Sequence, residues 1–175
     1  MQNAQIPVLG FVAASGTGKT TLLVQLVPIL KRNGLRIGLI KHSHHDFEID
    51  RPGKDSFRLR EAGASPVMLV SQYRRAIITE FTPAKEPGLD DQLKQFDQSE
   101  LDLILVEGFR AEKFPKIELH RSSLEKPLLY PNDPDIIAIA TDAALETPSY
   151  LMQLDLNRPD MIAAFIQNHV MKNYD

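Results

Sequence analysis

The stretch Val8–Thr21, VLGFVAASGTGKTT, constrains this chain more than any other. Val8, Leu9, Phe11, Val12 and Ala13, interrupted by one glycine, read as a buried strand. A loop of small residues follows, Ala14-Ser15-Gly16-Thr17-Gly18, and Lys19-Thr20-Thr21 opens a run with helical periodicity. Strand, glycine-bearing loop and helix in that order form the context of a phosphate-binding P-loop. Its backbone N–H groups can turn inward as a concave nest for phosphate oxygens. The helix start adds further N–H groups and the positive end of its dipole. The residues assigned to nucleotide binding are therefore Ser15, Gly16, Thr17, Gly18, Lys19, Thr20 and Thr21. Lys19 reaches toward the β- and γ-phosphates and stabilises developing charge, while the Thr20 hydroxyl ligates Mg²⁺. One position departs from the pattern: the first glycine of GxxxxGK[ST] is Ala13 here, acceptable if that residue stays strand-like. The plain alternative is a Gly/Ser turn before an ordinary helix.

With 175 residues the chain fits a single domain, 1–175, with residues 1–5 as a disordered tail. Net charge is −3, which gives no electrostatic case for nucleic acid. Cysteine is absent, excluding disulfides and thiolate metal sites. The start, MQNAQIPVLG, does not look like a signal peptide, and no apolar run approaches the roughly 18 residues of a membrane span. A soluble, cytoplasmic protein without membrane partners is the expectation.

Beyond the loop the pattern alternates. Lys19–Arg32 is a helix with Leu22, Leu23, Leu26, Ile29 and Leu30 on its apolar face, and residues 36–40 form a second strand. Residues 54–62 suit a short helix, and 67–70 and 76–79 a hairpin, which makes the sheet mixed. Further expectations are a helix over 88–98, strands over 101–106, 116–120 and 136–140, and an irregular stretch over 122–135. A last helix covers about 160–171 with Asn157 as candidate cap. The fold class that follows is a three-layer α/β domain of P-loop type, mostly parallel with an antiparallel hairpin.

The apolar strand ending in Glu107-Gly108 looks like a Walker B element, with Glu107 holding Mg²⁺ alongside Thr20. Asp102, at the strand's other end, is structural. Asp142 follows a buried strand at the place where a base is read. One carboxylate can accept from N1–H and the 2-amino group of guanine, a donor pair adenine lacks, which favours GTP. A turn or cap aspartate is the alternative. The segment Lys41, His42, His44, His45, Asp46 has groups able to bind Zn²⁺ or Ni²⁺, but adjacent loop histidines point apart. Anion handling suits it better, with Lys54, Arg58 and Arg110 adding charge to the same rim.

Taken together, AASGTGKTTLL, GLIKHSHHDFEIDRPGKDS, RLREAGA and LDLILVEGF resemble the molybdopterin-guanine dinucleotide biosynthesis adapter (MobB) family over residues 6–142. The resemblance implies a P-loop domain of the branch that includes metallochaperone GTPases. It also implies GTP binding, slow hydrolysis at most, and an accessory role beside the guanylyltransferase that joins GMP to molybdopterin. Functional weight for Lys41–Asp46 and for Lys54, Asp55 and Ser56 comes from the same source. So does a homodimer, with the 67–80 hairpin as candidate dimer element, and molybdopterin as a candidate ligand. Two rival readings stand beside it. A small-molecule kinase would need an Arg-rich lid, and residues 109–135 offer Arg110 and Arg121. A metallochaperone-type GTPase would use the histidines.

Overall fold

The structure, a computed structural model, describes residues 1–43 and 46–172. Two compact units emerge, Met1–His42 with Gly88–Asp175, and Ser43–Pro87.

The larger unit is built on a six-stranded sheet in the order β2-β5-β1-β6-β7-β8. Its strands are β1 (Val8–Ala13), β2 (Ile37–Lys41), β5 (Leu103–Glu107), β6 (Lys116–His120), β7 (Ile136–Thr141) and β8 (Met152–Asp155). Every pairing is parallel, so all six strands finish at the same edge. β1, β5 and β7 are continuous apolar runs because both of their faces are covered. One face carries α1 (Lys19–Arg32) and α4 (Pro159–Phe165). There Leu9, Phe11, Leu103, Leu105, Ile117 and Leu119 meet Leu22, Leu26 and Leu30 of α1 and Ile162 of α4.

The opposite face is closed largely by irregular chain. Val8, Ile104 and Val106 pack against Leu89 and Leu93 of the short α3 (Leu89–Leu93) and against Phe109 and Phe114. Gly10 permits this closeness, since a Cβ there would stand 2.7 Å from the Phe114 ring. Farther along, β6 turns two charged side chains into this face. Lys116, 1% exposed, donates to Asp133 Oδ2 at 2.7 Å and to the Arg110 carbonyl at 3.3 Å. Glu118, also 1% exposed, accepts from the Leu129 and Tyr130 backbone N–H groups at 2.8 and 2.9 Å. These N–H groups are free because they stand at the start of a short 3₁₀ turn, Tyr130–Asn132, where no partner exists within the turn. Residues 122–135, expected to be irregular, thus contain 3₁₀ turns at Ser122–Leu124 and Tyr130–Asn132, and the start of the second, with Asp133, satisfies β6.

Several expectations shift. The helix over 88–98 shortens to α3, with a 3₁₀ turn at Gln98–Glu100. β8 was not foreseen; Met152 and Gln153 are exposed, so it lacks the apolar run that marks its neighbours. Asn157 is not the cap of α4: Arg158 holds that position, and the Asn157 N–H donates to Asp155 Oδ1 at 2.8 Å. α4 ends in a π-helical stretch, Ile166–Met171. The first residues, read as a tail, make hydrogen bonds: Asn3 to Asp90 and the Gln5 N–H to Gln98. Asp102 is structural as expected, pairing with Arg36 at 2.9 Å. No helix among the described residues is long and apolar enough to cross a membrane.

The second unit contains α2 (Asp55–Glu61) and the antiparallel pair β3 (Val67–Val70) and β4 (Arg75–Ile78). The hairpin is a separate two-stranded sheet, so the large sheet is parallel rather than mixed. Arg60 organises this unit. Its guanidinium bridges Glu48 and Glu80, each at 2.6 Å, and lies 5.1 Å from the Phe57 ring centre.

Burial raises the affinity of Glu118 for its proton. The folded chain thus keeps a proton that the unfolded chain loses first, and this contribution to stability falls as pH rises above the ordinary value of 4.5. Glu118→Gln retains one acceptor oxygen for two N–H groups and is expected to cost about 1–3 kcal/mol. Thermal melts should show the gap between wild type and variant narrowing as pH rises through that window.

Candidate phosphate-binding site

The P-loop lies between β1 and α1 as the spacing predicts. Ala13 belongs to β1, the strand-like conformation in which alanine can replace the first glycine of the motif. Thr17 is 2% exposed and closes the loop on itself, its Oγ1 donating to the Ala14 carbonyl at 2.8 Å. Gly18 caps α1 with a left-handed φ of 100° and supplies no side chain to the first helical N–H groups. The first turn of α1 carries no acidic residue, whereas α2, α3 and α4 have Asp55, Asp90 and Asp91, and Asp160 there. Both features leave the positive end of α1 free for an external anion.

Glu107 ends β5 beside the loop. Register brings it level with Phe11 of β1 and Lys41 of β2. Its Oε1 is 3.4 Å from Thr20 Oγ1 and its Oε2 3.3 Å from Lys41 Nζ, with the side chain 13% exposed. A hydroxyl and a carboxylate are hard oxygen donors of the kind Mg²⁺ selects, and they converge at the start of α1. The residues fit the ion. Lys41 thereby joins the P-loop residues at one edge of the sheet.

The turn after Glu107 is tight. Gly108 has φ 106°, and a Cβ on it would come within 2.6 Å of His42 Cβ. The His42 N–H donates to the Glu107 carbonyl at 2.8 Å, and the His42 ring stacks on Phe109 at 4.5 Å. His42 therefore packs the turn that carries Glu107.

On the far side of β1, Asp142 follows β7. Its Oδ1 accepts from the Ser122 N–H at 2.9 Å and Ser122 Oγ at 3.1 Å, and its Oδ2 lies 3.4 Å from Arg121 Nη1. The Ser122 N–H is the main cause that holds this carboxyl below the usual aspartate range. An ionised Asp142 has the acceptor-only character that a base-reading role requires. Arg121, which sequence reasoning did not place at the site, also donates from Nε to the Thr17 carbonyl at 3.4 Å. Its only sequence signal was its position just after a strand.

The remaining candidates divide. Asp46, Lys54, Asp55 and Ser56, with Arg58, belong to the second unit. There Lys54 precedes α2, Asp55 opens it, and Ser56 Oγ donates to Asp50 Oδ1 at 3.0 Å. Arg110 lies in the larger unit, its carbonyl accepting from Lys116. His44 and His45 lie outside the described residues. Among those described, no cluster of three or more His, Cys, Asp or Glu residues suits a metal.

Parallel strands, a loop closed by Thr17, an open helix start and a carboxylate at the neighbouring strand end define a P-loop α/β domain. The family described as molybdopterin guanine dinucleotide synthesis protein B matches residues 8–142. The molybdopterin-guanine dinucleotide biosynthesis adapter protein of Haemophilus influenzae is 50% identical over 95% of this chain and 90% of its own length. Its Escherichia coli counterpart is 45% identical over 95% of each. The crystal structure of a MobB homolog from Bacillus stearothermophilus superposes with a TM-score of 0.69 at 25% identity, covering 94% of this chain and 98% of that one. This chain belongs to the molybdopterin guanine dinucleotide synthesis protein B family.

Gly108→Ala places a methyl group against His42 in a backbone conformation that side chains resist. It is expected to destabilise the fold by about 2–4 kcal/mol in urea titrations.

Proposed function

We propose that this protein is a GTP-binding adapter in molybdopterin guanine dinucleotide formation, presenting GTP to a molybdenum cofactor guanylyltransferase and hydrolysing it slowly at most. The observation that carries the reading is the Glu107 carboxylate beside Thr20 at the uncapped start of α1. Family membership and the names of the relatives supply the pathway. Lys19 meets the negative charge of the terminal phosphates, and the loop N–H groups hold them in place. Thr20 and Glu107 hold Mg²⁺, which neutralises phosphate charge. Asp142 selects guanine by accepting from N1–H and the 2-amino group.

Calorimetric titration with GTP and ATP, with and without Mg²⁺, tests the reading. GTP should bind in an Mg²⁺-dependent way and far more tightly than ATP. Lys19→Ala should weaken GTP by about tenfold or more. Asp142→Asn should lose GTP and gain xanthosine triphosphate, because an amide N–H can donate to the xanthine oxygen. Equal binding of ATP would overturn the guanine assignment.

A homodimer belongs to the same proposal. No described residue of the second unit is buried, and Phe47, Val70 and Tyr73 are 67%, 74% and 81% exposed. Met68 and Ile77 face each other across the hairpin and are exposed as well. A two-stranded sheet has both outer edges open, and a second copy related by a two-fold axis can extend it. Light scattering should give twice the chain mass for the wild type and a monomer for Met68→Asp/Ile77→Asp. A monomeric wild type at micromolar concentration would end the idea.

A further inference from the structure

Arg121 lies against the P-loop just after β6. Its Nε donates to the Thr17 carbonyl, its Nη1 faces Asp142, and its Nη2 is 3.9 Å from the point where a Cβ on Gly18 would stand. The side chain remains 36% exposed. One cation is thus fastened to the loop on one side and to Asp142 on the other, with part of its surface open at the start of α1.

Strand order gives the site a direction. Across the sheet run β5, β1, β6 and β7, ending at Glu107, the P-loop, Arg121 and Asp142. A nucleotide whose terminal phosphates lie in the loop with their metal toward Glu107 extends away from β5, over the end of β6. From β1 to β7 is two strand spacings, roughly 10 Å. A sugar and its α-phosphate fill that gap. Arg121 is therefore on the wrong side of the loop to act on the γ-phosphate, and on the right side for the α-phosphate and ribose.

We propose that Arg121 grips the α-phosphate and ribose of the bound purine nucleotide, and that its pairing with Asp142 ties the phosphate end of the site to the base end. This rests on the reading that the P-loop binds a purine nucleotide, and adds the residue that holds the middle of the ligand. A guanidinium suits this role because it is permanently charged, and its planar fork can serve a phosphate oxygen while keeping its bond to Asp142. Asp142 is fixed by Ser122, so Arg121 is held in position before the ligand arrives.

The test compares wild type, Arg121→Ala and Arg121→Lys in binding GTP, GDP and inorganic pyrophosphate, each competing with a fluorescent GTP analogue. Circular dichroism and thermal melts check that both variants fold. Arg121→Ala should weaken GTP and GDP by the same factor, about tenfold to a hundredfold, and leave pyrophosphate, which spans the β- and γ-positions alone, unchanged. Arg121→Lys should recover part of the loss. Unchanged nucleotide binding overturns the proposal, as does a loss confined to GTP, which would place Arg121 at the γ-phosphate. An equal loss for pyrophosphate also overturns it, because Arg121 would then only prop the loop. A wild type that binds no nucleotide removes the underlying reading as well, whereas normal wild-type binding with an indifferent Arg121→Ala removes this one alone.

Discussion

Parallel pairing of β1 with both β5 and β6 is the constraint on which the rest depends. It obliges these three strands to end at one edge, so the loop after β1, the acid that ends β5 and the arginine after β6 become neighbours despite long separations in sequence. It also obliges β1 to be apolar on both faces. Gly10 is the single break in that run, and it admits Phe114 where a side chain would block it. The site is a product of sheet order, with the loop supplying the chemistry.

Legibility in the sequence followed the length and regularity of each signal. β1, the loop and α1 were readable to the residue because apolar run, small residues and helical periodicity agree there. Glu107 was readable because a strongly apolar strand points at it. Arg121 was not, since nothing around it distinguishes a site arginine from a surface one until strand order places β6 beside β1. β8 escaped because Met152 and Gln153 face solvent. The 88–98 helix was overextended: Leu89 and Leu93 do face the core, but Phe96 follows the end of α3, where Gln95 and Phe96 bond three residues back rather than four.

The second face of the sheet shows how buried charge can shape a covering layer. Lys116 and Glu118 ask for acceptors and donors that a regular helix does not present on its flank. Loops supply them, through Asp133 and the N–H groups of Leu129 and Tyr130. The start of a short 3₁₀ turn is placed where its unpaired N–H groups match the charge.

The segment Ser43–Pro87 follows a different rule from the sheet. Its described residues include none that is buried, and its clearest internal anchor is Arg60 between two glutamates. Substitutions in the sheet are judged by the fold, because they disturb a close-packed interior. Substitutions in this segment meet no close-packed interior among its described residues. The two parts of one chain therefore accept change on different terms: volume limits the sheet, and within the hairpin no described side chain is buried deeply enough to set such a limit.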